Sequence, residues 1–260
     1  MDKNIIVSII MPAYNAERYI ELAIKSVLKQ SFQDFEFIII NDGSRDKTRE
    51  KILEFKDARI KLIENENNIG LQKSLNKGLS FSCGEYIARI DADDEWINED
   101  KIKKQIEFLE KNRNYVLIGT GALCVNENGK FLFKYLKEEL DKNIRKRITG
   151  YNCFIHSSVV FKKEAAVKVG MYPEDGESRH VEDYDLWLRL GMVGKMYNLP
   201  TYDVSYRMSE ESISNKNKIK QLKDTIKIAK RYKKNYPDNK IFNTARNYAR
   251  LIFHGYIKSI

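Results

Sequence analysis

No apolar run in these 260 residues approaches the roughly 18–20 residues that a membrane-spanning helix needs. The opening Met1-Asp2-Lys3-Asn4 lacks the basic region and long apolar stretch of a signal peptide, and Ile5 to Met11 reads as a strand. Both absences predict a chain that stays in the cytosol. Cysteine is scarce as well. Cys83, Cys124 and Cys153 are widely spaced with no CxxC pair, which fits reduced, buried thiols better than a disulfide framework or a zinc site. There is no GxGxxG dinucleotide fingerprint and no GxxxxGK[ST] loop. Acid does not balance base: 46 Lys and Arg against 37 Asp and Glu leave a formal charge of +9. That balance favours anionic partners, whether nucleic acid, a phosphorylated ligand or an anionic membrane.

What is present alternates. Val7 to Met11 is a short apolar run closed by Pro12, and Glu17 to Lys29 carries an apolar stripe of helical period. Phe35 to Ile40 is a continuous apolar run, as in a strand buried on both faces. Asp46 to Phe55 reads as a helix, Ile60 to Ile63 as a strand, Leu71 to Leu79 as a helix and Tyr86 to Ile90 as a strand. This βαβαβαβ rhythm predicts an α/β fold, a mostly parallel sheet with helices on both faces. Further on, Ile102 to Leu109, Glu138 to Ile148 and Val181 to Leu190 read as helices. Tyr115 to Ile118 and Phe131 to Tyr135 read as strands, and Val204 to Arg207 as an edge strand or loop.

Polar motifs punctuate the strand ends, and in open α/β sheets that edge binds ligands. Met11-Pro12-Ala13-Tyr14-Asn15 follows the first strand, Asn41-Asp42-Gly43-Ser44 the second and Asn67-Asn68-Ile69-Gly70 the third. After the fourth comes Arg89-Ile90-Asp91-Ala92-Asp93-Asp94, with three carboxylates in four residues. Such a cluster repels itself unless a cation compensates it, and oxygen ligands favour Mg²⁺ or Mn²⁺. A second acid cluster, Glu182-Asp183-Tyr184-Asp185, opens a helix. A carboxylate there stays ionised, as a general base must. Each motif alone also has a plainer reading as a turn or a helix cap.

Taken together and in this order, these motifs resemble the family-2 inverting glycosyltransferases of the GT-A fold, over roughly Ile5 to Tyr206. The resemblance implies transfer of a sugar from a nucleotide-sugar donor, a UDP-sugar by family habit, to an acceptor hydroxyl, with inversion. It implies that Pro12, Ala13, Tyr14 and Asn15 frame the base, that Asp42 accepts from uracil, and that Asn68, Gly70 and Arg89 lie by the nucleotide. Asp91-Ala92-Asp93 matches the DxD element, with Asp93 as direct metal ligand and Asp91 near the ribose or the metal's waters. Asp183 matches the base that deprotonates the acceptor, with Glu182 beside it. Arg207 matches a phosphate clamp, although Ser209 stands where the family pattern has His. His156 matches a position near metal or acceptor. The implied cofactor is Mn²⁺ or Mg²⁺, and the acceptor a glycan or a lipid-linked molecule of the kind used in cell-surface polysaccharide synthesis.

Residues 1–208 are thus expected to form the catalytic domain and 209–260 a basic helical extension. Lys216, Lys218, Lys220, Lys223, Lys227 and Lys230 surround an apolar stripe of Ile219, Leu222, Ile226, Ala229 and Tyr232. That stripe either packs on the catalytic domain or lies on an anionic membrane surface. A last helix, about Ile241 to Ile257, either packs on the first or mediates a homodimer. Two other readings were weighed. A sugar nucleotidyltransferase needs a Gly-rich, basic loop after the first strand, which Met11 to Asn15 is not. A nucleic-acid-binding protein explains the charge but not the acid clusters, and no recognised binding motif supports it, so nucleic acid is not an expected partner.

Overall fold

The computed structural model describes residues 5–176, 178–209, 218–236, 243 and 246. Its first half is the expected alternation: β1 (Val7–Ala13), α1 (Ile20–Leu28), β2 (Phe35–Asn41), α2 (Thr48–Leu53), β3 (Ile60–Glu64), α3 (Leu71–Phe81) and β4 (Tyr86–Arg89). These four strands pair in parallel, in the order β3-β2-β1-β4. Every residue of β2 is buried, as its unbroken apolar run predicts. Pro12 is tolerated inside β1 for a geometric reason. The Ile10 carbonyl accepts from Ile90 on the β4 flank, and by alternation Pro12 faces that same flank, where β4 has already ended.

The second half extends the sheet: β5 (Glu95–Trp96), α4 (Lys101–Lys111), β6 (Tyr115–Val125), β7 (Phe131–Tyr135), α5 (Asp141–Arg147), β8 (Val160–Lys162), α6 (Lys163–Lys168), α7 (Glu182–Val193), β9 (Lys195–Arg207) and a further helix, α8 (Lys218–Tyr232). The sheet runs on as β4-β8-β6-β9-β5, with β7 paired to β6 alone. β8 and β7 are antiparallel to their partners, whereas β6 and β9 are parallel. One expectation is corrected here. Val204 to Arg207 is no edge segment but the end of the thirteen-residue β9, an interior strand between β6 and β5. Its apolar signal is diluted by Lys195, Asn198, Pro200 and Thr201. The β6–β9 register slips between Leu199 and Tyr202, so the residue without an N–H falls at the irregularity.

Alternate side chains along the strands feed two cores. Ile10, Ile38, Ile40, Ile87 and Phe161 face α3, α6 and α7, while Ile9, Met11, Phe37, Ile39, Ala88 and Val160 face α1 and α4. Of the expected thiols, Cys124 and Cys153 are buried, but Cys83 is exposed in the turn before β4. The stripe of α8 is spent on the body of the protein. Leu222, Ile226 and Ala229 are buried and Tyr232 is half-buried, while Lys220, Lys223, Lys227 and Lys230 face outward. The Tyr236 hydroxyl donates to the Leu188 carbonyl of α7 at 2.6 Å, and Arg231 lies 3.5 Å from buried Asp185. Apart from Asn243 and Arg246, the last expected helix lies outside the described residues. Among the described residues, no helix is long and apolar enough to cross a membrane.

Candidate active site

The motifs after β1, β2 and β3 are sewn to one another. Asn15 takes a left-handed backbone (φ 48°); its N–H donates to Ser44 Oγ at 3.1 Å and its Oδ1 accepts from the Arg45 N–H at 2.9 Å. Asn15 therefore joins the loops after β1 and β2. Asp42 is buried and accepts from Asn65 Nδ2 at 2.8 Å and from the N–H groups of Ile69 and Gly70 at 2.9 and 3.0 Å. Gly43 has φ 68°, and a Cβ there would lie 2.6 Å from the Asn67 carbonyl carbon. The second and third motifs thus form one wall, and only glycine permits their approach. Pro12 and Ala13 are buried at the end of β1, Asn68 is exposed on the third loop, and Tyr14 stands 46% exposed above the wall, its ring free to meet a planar ligand.

The acid cluster follows β4. Carboxylate oxygens of Asp91, Asp93 and Asp94 lie within 4.8 Å of one another. Buried Arg89 grips both oxygens of Asp91 and approaches Ser157 Oγ at 3.4 Å. Its guanidinium is thereby committed to Asp91 and Ser157. Burial opposes ionisation of Asp91, but the Arg89 charge outweighs it and holds the carboxyl below its ordinary range. Burial and the Asp91 charge push Asp93 up to about 6. Asp94 is pushed well up by burial and by both neighbours. Three hard oxygen donors at this spacing, two of them reluctant to ionise without compensation, fit a divalent cation.

Ser157 ties this cluster down. Its Oγ accepts from the Asp91 N–H at 3.0 Å and reaches Oδ2 of both Asp91 and Asp94. A hydroxyl has one proton, so it donates to one carboxylate at a time. Asp94 also accepts from the Arg207 N–H at 2.8 Å, closing β9 against the cluster. The Arg207 guanidinium is committed elsewhere. It donates to the carbonyls of Asp93, Asn126 and Glu127 and to Glu95 Oε1, and it covers the Tyr19 ring. At 5% exposure it clasps β9, the acid cluster and the 126–127 turn together.

The second cluster opens α7. Asp183 Oδ2 accepts from Asn152 Nδ2 at 2.7 Å. Burial raises the Asp183 carboxyl, and the Asp91 charge adds to the rise, so the two clusters sense each other. Glu182 is 4% exposed and is pushed up to about 7 by burial and by Asp183. His156 does not join the metal-type cluster. Its Nε2 lies 2.9 Å from the Tyr172 hydroxyl and its ring meets Trp187 edge-on, while burial and then Arg89 depress it well below the ordinary histidine range. His156 thus packs on Trp187 and hydrogen-bonds Tyr172, outside the Asp91/Asp93/Asp94 group.

One short segment spans both centres. Asn152 holds Asp183, Ser157 holds Asp91 and Asp94, and the Trp96 indole fixes the Ser157 carbonyl at 2.8 Å. Sequence reasoning passed over Asn152, Ser157 and Tyr172 because polar residues on a loop carry no pattern. Asp94 belongs to the acid run, and its bonds to Ser157 and to the Arg207 N–H come from residues distant in sequence.

The sequence model of glycosyl transferase family 2 matches residues 8–169. The Escherichia coli protein WfgD, a UDP-Glc:alpha-D-GlcNAc-diphosphoundecaprenol beta-1,3-glucosyltransferase, is 36% identical over 222 residues, 84% of this chain and 83% of that one. The crystal structure of S. aureus TarS 1–349 in complex with UDP-GlcNAc superposes with a TM-score of 0.66 at 20% identity, over 80% of this chain and 60% of that chain. The mannosyltransferase PcManGT from Pyrobaculum calidifontis, in complex with GDP-Man and Mn²⁺, gives 0.64 at 19% identity, over 95% and 69%. Likeness at that identity shows the fold. This chain spans less than two thirds of the TarS segment.

Proposed function

Starting from the fact that this chain belongs to glycosyl transferase family 2 and is a glycosyltransferase, we propose that it moves a sugar from a UDP-sugar to an acceptor hydroxyl with inversion, aided by a divalent metal, in cell-surface polysaccharide synthesis. One observation carries this reading. The short 152–158 segment bonds to both acid clusters, to Asp91 and Asp94 through Ser157 and to half-buried Asp183 through Asn152. WfgD by its name uses UDP-Glc and TarS binds UDP-GlcNAc, which supports a UDP donor.

On this reading Tyr14 lies against the base and Asp42, with an acceptor site left on Oδ2, meets the uracil imide. Asn68 and Gly70 border the ribose. Asp93 and Asp91 hold Mn²⁺ or Mg²⁺, which when bound neutralises charge on the leaving diphosphate. Ser157 and Arg89 keep the Asp91 carboxylate in place, and Asp94 ties the cluster to β9. Asp183 takes the proton of the acceptor hydroxyl on the opposite face of the sugar. Its raised affinity for protons makes it a stronger base than an exposed aspartate. Asn152 fixes the orientation of the carboxylate, and alignment of this kind is worth on the order of a hundredfold in rate per ångström.

A thermal-shift panel of nucleotides with and without Mn²⁺ tests the donor side. UDP is expected to stabilise the protein only with the metal, by about 2.7 kcal/mol at a hundredfold excess over Kd. Asp93→Ala is expected to abolish the effect. Equal stabilisation by UDP in chelator would overturn the metal assignment.

A further inference from the structure

Residues 128–136 are nine consecutive exposed positions. They include β7, whose five residues are exposed on both faces, and five large apolar side chains: Phe131, Leu132, Phe133, Tyr135 and Leu136. The charged residues in this stretch are Lys130 and Lys134, with no acid between them. Single exposed apolar residues need no explanation, but a contiguous ridge does. The ridge ends beside the candidate site. Lys137 lies over Tyr135 and donates to the Asn152 carbonyl at 2.8 Å, and Asn152 holds Asp183. Lys137 and Arg246 both lie over Tyr151, adding a cationic flank. The acids flanking the stretch are engaged or half-buried: Glu127 pairs with Arg18 at 3.5 Å, Glu138 is half-buried, and half-buried Glu139 accepts from the Tyr197 hydroxyl.

We propose that the β6–β7 hairpin is an interfacial anchor that inserts Phe131, Phe133 and their neighbours into the surface of an anionic lipid bilayer, bringing the Asp183 side of the site to the membrane. Aromatic and aliphatic side chains flanked by lysine, without acid, are the composition such a surface selects. A five-residue edge strand is about 17 Å long, and pairing it with a second copy falls well short of the ~800 Å² per partner of a stable interface. The apolar stripe of α8 is already buried, so the expected membrane role moves from that helix to this hairpin. The inference concerns where the enzyme works, and its test reads no turnover, so its failure would leave the proposed reaction standing.

Flotation of the full chain with vesicles decides it, using phosphatidylcholine alone and phosphatidylcholine mixed with phosphatidylglycerol. The protein is expected to float with the anionic vesicles only. Phe131→Ser/Phe133→Ser should weaken binding about tenfold or more, and Lys130→Gln/Lys134→Gln about tenfold, both with unchanged Tm because the sites are exposed. Lys220→Gln/Lys223→Gln on α8 should float like the parent. No flotation of the parent, equal flotation with neutral vesicles, or undiminished binding by the double-serine variant would overturn the proposal. So would a dimer in sedimentation that the double-serine variant dissolves.

Discussion

At the scale of single residues, Glu182 and Asp183 share a helix start but not a task. Asp183 is half-exposed and oriented by Asn152, whereas Glu182 is sealed, with Oε2 lacking a partner. Raising Glu182 from its ordinary 4.5 to about 7 means that the folded protein holds a proton which the unfolded chain releases. Its stability contribution is therefore full below about 4.5 and is lost as pH rises through about 7, roughly 3 kcal/mol in all. Melting curves should show a fall in Tm across that window that Glu182→Gln removes; parallel Tm–pH profiles would refute this. For Asp183→Asn, on the proposed mechanism, donor-induced stabilisation should persist while transfer drops by about 10²–10⁴. Unimpaired turnover would place the base elsewhere. The acids were legible because carboxylate runs are rare and chemically specific. Ser157 and Asn152 were not, because their importance comes from partners 63 and 31 residues away. The protein contacts of Arg207 and His156 were illegible for the same reason: charge and ring chemistry suggest a ligand, and only packing shows which protein groups they meet.

Among the elements, the first four strands followed from period and punctuation: β1, β2 and β4 are buried throughout, and β3 is a partly exposed edge strand with a clear apolar run. β9 did not, because a long strand interrupted by Pro200 and paired through a slipped register has no clean alternation. The contact between α7 and the segment after α8 offers a test of sign. Alanine normally suits a helix interior better than glycine by about 1 kcal/mol. At Gly191, however, a Cβ would meet the Tyr236 hydroxyl and the Met196 thioether, and that hydroxyl is already bonded to Leu188. Gly191→Ala is therefore expected to lose about 1–3 kcal/mol in urea unfolding. A neutral or stabilising outcome would mean that the tyrosine docks loosely.

For the molecule as a whole, the charge of +9 coexists with a cluster of three aspartates, whose like charge repels phosphate. Binding to duplex DNA, followed by fluorescence anisotropy, should be weak at low salt and vanish steeply towards physiological salt. Retention at high salt would revive a nucleic-acid role. Composition could state the sign of the charge but not its distribution, which depends on how the chain folds back on itself.

Arg207 is the last residue of β9, and its N–H meets Asp94 across 113 residues of sequence. During synthesis the triad emerges from the ribosome long before the strand that closes it. A nascent chain thus carries its acids without their clasp until residue 207 is out.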